Sequence, residues 1–280
     1  MKLVTKRSKR LFAFGCSFTK YFWATWPEII ALDLDIEMYN YGRSGAGNTF
    51  IANSVAQADA VHNFNQNDLI MIMWSNVCRE DKWKENEWVT PGNIFTQNLF
   101  GRKYVKQWAD VIGYMIRDLG QIHLTQGFLK NTKCQYHMSQ MVDILDQPNQ
   151  FEIKNMQKDY QLHLSNMYKE TLQTLCPSFY NILWQNNMSY SKNINLYNGK
   201  FPDPHPTPLE HFMYLDKIFD EHKFKISTFE AVNKAEQALE YVLQNKTKKG
   251  TFEMHHMQND ELQALISNTT IKENSDTKII

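Results

Sequence analysis

The sequence has no surplus of either charge: 30 Lys and Arg offset 30 Asp and Glu over 280 residues. Proteins that live on nucleic acid or on an anionic membrane usually carry a basic excess, so neither partner is expected. The one basic cluster, Lys6, Arg7, Lys9 and Arg10, precedes an apolar run and reads as a solvated arm. Long hydrophobic runs are also missing, and no stretch approaches the ~18 apolar residues of a membrane helix. Leu11 to Cys16 behind those basic residues imitates a secretory signal. The run is too short, however, and Lys20 follows quickly, so a buried strand is the better reading. The four cysteines, Cys16, Cys78, Cys134 and Cys176, form no CxxC pair. That spacing points away from zinc and redox chemistry and fits reduced thiols in a cytoplasmic-type compartment. His255 and His256 lack a ligand-spaced partner and read as a solvated pair, so no metal and no cofactor is expected.

Apolar residues make up 42% of the chain and charged residues 21%, enough to bury a core of normal size. Leu11 to Gly15 reads as a strand buried on both faces. Trp26 to Leu34 reads as a helix with Pro27 in its first turn, and Ile36 to Tyr41 as a second strand. The spacing of Ile51, Val55, Ala58 and Val61 predicts a helix from Asn48 to Asn63. Leu69 to Trp74, opened by Asp68, is the clearest strand. This β-α-β-α-β order implies a parallel sheet with helices on both faces. Asn76 to Arg102 is polar and lacks a period, which predicts a functional loop or lid. Further on, a helix is expected over Tyr104 to Leu129, a fourth strand over Lys133 to Met141 and a helix over Ile153 to Leu175. A loop is expected over Asn193 to Asp203, then helices over Pro208 to Phe219 and Phe229 to Leu243. One domain spanning 1–245, with an insertion around 77–102, and a partly disordered extension over 246–280 complete the expected organisation.

Two local patterns can carry chemistry. Gly15-Cys16-Ser17 follows the first strand, and a turn there lifts a hydroxyl to the edge where open α/β sheets bind ligands. Thr19 stands where a G-x-S-x-G elbow has its last glycine, and a serine capping the next helix is the plainer alternative. A serine is a weak nucleophile without a base. Near the other end, Pro202, Pro204, Pro206 and Pro208 stiffen a segment holding Asp203 and His205. A carboxylate next to a histidine can fix its tautomer and stabilise its protonated form.

Taken together, these blocks resemble the SGNH hydrolase family. Gly15-Cys16-Ser17-Phe18 resembles the first block, Asn40 to Asn48 the second, Trp74-Ser75-Asn76 the third and Asp203-Pro204-His205-Pro206 the fifth. The resemblance spans residues from about Leu11 to Phe219. It implies a three-layer α/β/α, flavodoxin-like fold with a parallel sheet of about five strands. It also implies Ser17 as nucleophile, His205 as its base and Asp203 as the residue orienting His205. The oxyanion hole would comprise the Ser17 N–H, the Gly45 N–H and the Asn76 side-chain amide, with Gly47 as an alternative to Gly45. The sequence departs from the family pattern at Cys16, Trp74 and Val77, and Asp203 and His205 stand one residue closer than is common.

The resulting expectation is an esterase or O-deacetylase acting on a small ester or an acylated carbohydrate. Arg79 and Trp83 are substrate-binding candidates: Trp83 could stack on sugar rings, and Arg79, with Glu80 and Asp81, could meet a polar substrate or remain a solvated loop charge. An O-acyltransferase uses the same machinery, and a catalytically silent binding protein of the same fold is the alternative from a different class.

Overall fold

The structure, a computed structural model, describes residues 1–4, 8–95, 99–145, 155–183 and 205–246. The expected loop over 193–203, Asp203 with it, and nearly all of the expected extension over 246–280 lie outside the described residues.

Four parallel strands form the main sheet: β1 (Arg10–Gly15), β2 (Glu37–Gly42), β3 (Asp68–Trp74) and β6 (Gln135–Gln140), in the order β2-β1-β3-β6. The two central strands are the two apolar runs. Leu11 to Gly15 and all seven residues of β3 are buried, as strands covered on both faces require. Arg10 joins them at their N-terminal ends, its Nε and Nη2 each 2.8 Å from an oxygen of buried Asp68. β2 and β3 lie on opposite sides of β1, so right-handed crossovers send their helices to opposite faces. On one face α1 (Trp26–Leu34) packs with α8 (Pro208–Ile218) and α9 (Ile226–Lys246). On the other, α2 (Asn48–His62) packs on α4 (Val111–Thr132), which also meets α5 (Asn155–Met167). The architecture is three-layer α/β/α.

The parallel sheet, expected at about five strands, has four among the described residues. Where a fifth could follow, Leu175 makes a single parallel bridge to Met138, with Cys176 N–H donating to Met138 O at 2.8 Å. Pro177 comes next, and without an N–H it cannot extend a ladder. The helix expected over Tyr104 to Leu129 is two helices, α3 (Arg102–Trp108) and α4. They break where Asp110 caps α4, its carboxylate accepting the Gly113 N–H at 2.7 Å. The span expected as one helix over Ile153 to Leu175 holds α5 and the short α6 (Lys169–Leu172); α7 (Phe179–Leu183) follows. The polar stretch after β3 contains an antiparallel hairpin, β4 (Lys82–Lys84) and β5 (Glu87–Val89). Glu85 and Asn86, both left-handed at φ 53° and 66°, turn it, as two-residue hairpin loops require. All four cysteines are buried free thiols.

Candidate active site

The end of β1 carries a tight turn in which the Thr19 and Lys20 amides both donate to Cys16 O, at 2.9 and 3.2 Å. Gly15 is needed there because a Cβ would sit 2.0 Å from Thr19 Oγ1 and 3.0 Å from Met73 O. The Thr19 side chain occupies that space instead. Its carbonyl is fastened from two directions, by Asn40 Nδ2 at 2.9 Å and Thr25 Oγ1 at 2.7 Å. Asn40 also accepts the Gly42 N–H at 2.9 Å, so one buried side chain ties the serine turn to the end of β2. The serine is held by a tertiary lattice as well as by its local turn.

Ser17 Oγ lies 2.8 Å from His205 Nε2, across 188 positions of sequence. His205 stands just ahead of α8, whose start is fixed by a reciprocal cap. Thr207 N–H donates to Glu210 at 2.8 Å, and Glu210 N–H lies 3.4 Å from Thr207 Oγ1. Three aromatic residues hold the histidine segment from the serine side. The Tyr21 ring stacks on the His205 ring, centroids 3.8 Å apart and planes within 17°. Phe18 meets the imidazole edge-on at 5.7 Å, and Trp23 Nε1 donates to Pro206 O at 2.7 Å. Ser17 itself, expected to present its hydroxyl at the sheet edge, is buried there, only 5% exposed.

The turn after β2 gives its two glycines different work. Ala46 N–H donates to Arg43 O at 3.1 Å, with Gly45 at φ +74°. This is a type II turn needing glycine at its third position. A Cβ at Gly45 would lie 2.1 Å from Thr90 O. The Gly47 amide is already committed, donating to Asp81 at 2.8 Å. Gly45 serves the turn, and Gly47 serves the start of α2. Asn76 Oδ1 accepts the Cys78 N–H at 2.8 Å, which orients the amide.

Behind this rim lies a buried polar lattice. Asn48 clasps the Ser75 backbone, accepting its N–H at 2.7 Å and donating to its carbonyl at 3.1 Å; it also donates to Asp118 at 2.7 Å. Burial pushes Asp118 up to about 6 despite the adjacent Arg117 guanidinium, 2.6 Å away. Asp81 accepts from both Gly47 and Phe50 amides at 2.8 Å, and burial raises its pKa too. Glu80 pairs with Lys82 at 2.6 Å and with Arg117 at 3.5 Å. The solvated-loop reading of Glu80 and Asp81 is thereby corrected: they brace the loop.

The other candidates are dispersed. Arg79 reaches the glycine turn, its Nη1 donating to Ala46 O at 2.9 Å. Trp83 sits on the hairpin, 44% exposed, its ring edge-on to Trp88 at 5.8 Å. Thr90 Oγ1 joins that hairpin to the glycine turn, donating to Ser44 O at 2.8 Å. Cys16 is fully buried, its sulfur 3.6 Å from Met141 Sδ, directed into packing. Sequence reasoning passed over Tyr21 and Trp23, and gave Asn40, Asn48 and Asp81 no bracing role. For the first two, the aromatic run Tyr21-Phe22-Trp23 directly after the serine was an available signal.

No protein-family model matches the sequence, and no curated protein matches it. Solved structures similar in fold include a lipolytic protein of the G-D-S-L family from Veillonella parvula DSM 2008, 12% identical, covering 77% of this chain and 100% of that one at a TM-score of 0.42. Another is a GDSL-like lipase from Bacteroides thetaiotaomicron VPI-5482, 14% identical, covering 84% of this chain and 93% of that one at 0.41. A third is an alpha/beta hydrolase enzyme from the metagenome of Lake Arreo, Spain, 12% identical, covering 83% and 98% at 0.42.

Proposed function

We propose that this chain is a serine ester hydrolase with Ser17 as nucleophile and His205 as general base. The 2.8 Å contact between Ser17 Oγ and His205 Nε2 carries the reading, because a hydroxyl becomes a useful nucleophile only with a base in hydrogen-bond reach. Ser17 Oγ attacks the acyl carbonyl as His205 Nε2 takes its proton. The negative charge that develops falls near the Ser17 and Gly45 amides and the Asn76 side-chain amide. Such donors, fixed in advance, are each worth about 3–4 kcal/mol of barrier. The alcohol leaves with the proton from His205, and water repeats the sequence to release the acid. Asp203, outside the described residues, is proposed to orient the imidazole and stabilise its protonated form.

For the substrate, an acylated carbohydrate is favoured over a simple lipid ester by Trp83. An exposed indole on a hairpin fastened to the glycine turn offers a flat apolar face suited to a sugar ring. The decisive test is a fluorophosphonate probe on the intact protein. Covalent labelling mapped to Ser17 is expected, with loss of both labelling and 4-nitrophenyl acetate hydrolysis in Ser17→Ala. That variant should lose about 10³-fold or more in turnover while its melting temperature moves by only a few degrees, since one hydroxyl leaves no large cavity. A folded wild type that neither labels nor hydrolyses would reject the enzyme.

A further inference from the structure

The head group of Arg79 is held from both sides at the rim of this centre. Nη1 donates to Ala46 O at 2.9 Å, next to Gly45. Nη2 lies 3.8 Å from Met141 Sδ, and that sulfur is 3.6 Å from the thiol of Cys16, the neighbour of Ser17. The Arg79 backbone is fixed as well: its carbonyl accepts from Arg117 Nη2 at 2.9 Å, and it bridges Asn93.

A guanidinium offers five N–H donors. One of them meets an oxygen here, and a thioether at 3.8 Å is a weak acceptor. Among the described residues Nε is sealed from water and has no partner. The neighbouring charges are already matched: Glu80 by Lys82 and Arg117, Asp118 by Arg117, Asp81 by two backbone amides. Asp81 feels the field of Arg79, but among the described residues no carboxylate stands within ion-pair distance of it. A charge left this way costs stability. The unmatched side is the Nε/Nη2 edge, which takes a carboxylate side-on through two parallel bonds. Met141 lies against that edge, and its three rotatable bonds let it yield.

We propose that the Nε/Nη2 edge of Arg79 is a carboxylate subsite, so that the ester hydrolysed at Ser17 carries a carboxylate. This rests on the serine-hydrolase reading above. A single cationic edge suits a planar monoanion better than a phosphate dianion.

The test uses the full chain and two pairs of chromogenic esters. 4-Nitrophenyl hydrogen glutarate against its methyl ester puts the carboxylate on the acyl half. 4-Acetoxy-3-nitrobenzoate against its methyl ester puts it on the alcohol half. In at least one pair kcat/KM should favour the charged member by about ten-fold or more. The ratio should fall toward one in Arg79→Gln and lie between in Arg79→Lys, which keeps the charge but loses the paired geometry. The ratio is internal to each variant, so general damage cancels. A ratio near one in both pairs for wild type, or one unchanged in both variants, overturns the subsite. Hydrolysis of the neutral members, lost in Ser17→Ala, reports separately on the hydrolase reading. Binding is read without turnover in Ser17→Ala: monomethyl glutarate should raise its melting temperature and dimethyl glutarate should not, and adding Arg79→Gln or Arg79→Lys should weaken that shift. An equal response to both esters also overturns the subsite.

Discussion

Tyr21 is the residue whose role follows most directly from contact geometry. Its ring covers the His205 imidazole at 3.8 Å, and an electron-rich aromatic face favours a cation placed on it. In the proposed mechanism, stacking would both fix the ring plane and stabilise the imidazolium formed as Ser17 is deprotonated. Tyr21→Leu is expected to lower kcat by roughly ten-fold with a smaller change in KM, because the lost interaction grows as charge develops. Tyr21→Phe keeps the stack and should retain most of the rate. Steady-state kinetics on 4-nitrophenyl acetate separates the two; a Leu variant with wild-type kcat would limit Tyr21 to packing. At this scale the sequence was partly legible. Ser17 and His205 stood out because each follows a structural punctuation mark, a strand-ending glycine and a proline-stiffened segment. Tyr21 did not, since an aromatic residue in a loop looks the same whether it covers a core or a reactive ring.

Among the elements, the start of α2 matters most, because it follows the glycine turn by one residue. Its first amides are unsatisfied within the helix, and Asp81, arriving from the far side of β3, accepts two of them. This cap comes from 34 residues away. Asp81→Ala would strand two buried donors, costing about 2–6 kcal/mol at roughly 1–3 kcal/mol each. Asp81→Asn keeps one acceptor and should lose about half. Urea unfolding measures both, and turnover should fall in parallel as the Gly45 turn loosens. Full stability in the Ala variant would show that the amides find other partners. The elements themselves were the most legible level: α1 runs over Trp26–Leu34 as expected, and β3 over Asp68–Trp74. Where the reading failed, at the α3–α4 break, a single residue overrode a longer period: Asp110 as a cap.

Across the whole molecule, buried ionisable groups set the response to acid, and two of them oppose each other. His211, at the start of α8, is 1% exposed; burial, with His205 nearby, pushes it down to about 3. Its folded pKa is depressed below the ordinary histidine value of about 6.5, so the unfolded chain binds the proton more tightly. Stability from this group is full above about 6.5 and is lost as pH falls toward 3. Asp118 runs the other way. Raised to about 6, it binds its proton more tightly when folded, so it adds stability as pH falls from about 6 toward 4. As pH falls from about 6 toward 4 the two therefore act in opposite directions, His211 toward loss of stability and Asp118 toward gain. His211→Gln should flatten that loss, and Asp118→Asn should steepen it. Melting temperatures from pH 4 to pH 8 check the signs; parallel curves for all three proteins would place the acid response elsewhere.

What the sequence determined by itself is the alternation of apolar runs with amphipathic segments. A strand buried on both faces and a helix buried on one leave unlike periods in the residue order, and those periods fix a parallel α/β sheet. It also placed a serine at the end of β1 and a histidine ahead of α8, as two separate facts. Only the tertiary structure brought Ser17 within 2.8 Å of His205, gave the Gly47 amide to Asp81, and laid Tyr21 on the imidazole. The physical reason is range. Periodicity and turn preference act over a few residues and are written locally, whereas a hydrogen bond or a stacked ring depends on distances set by how the layers pack.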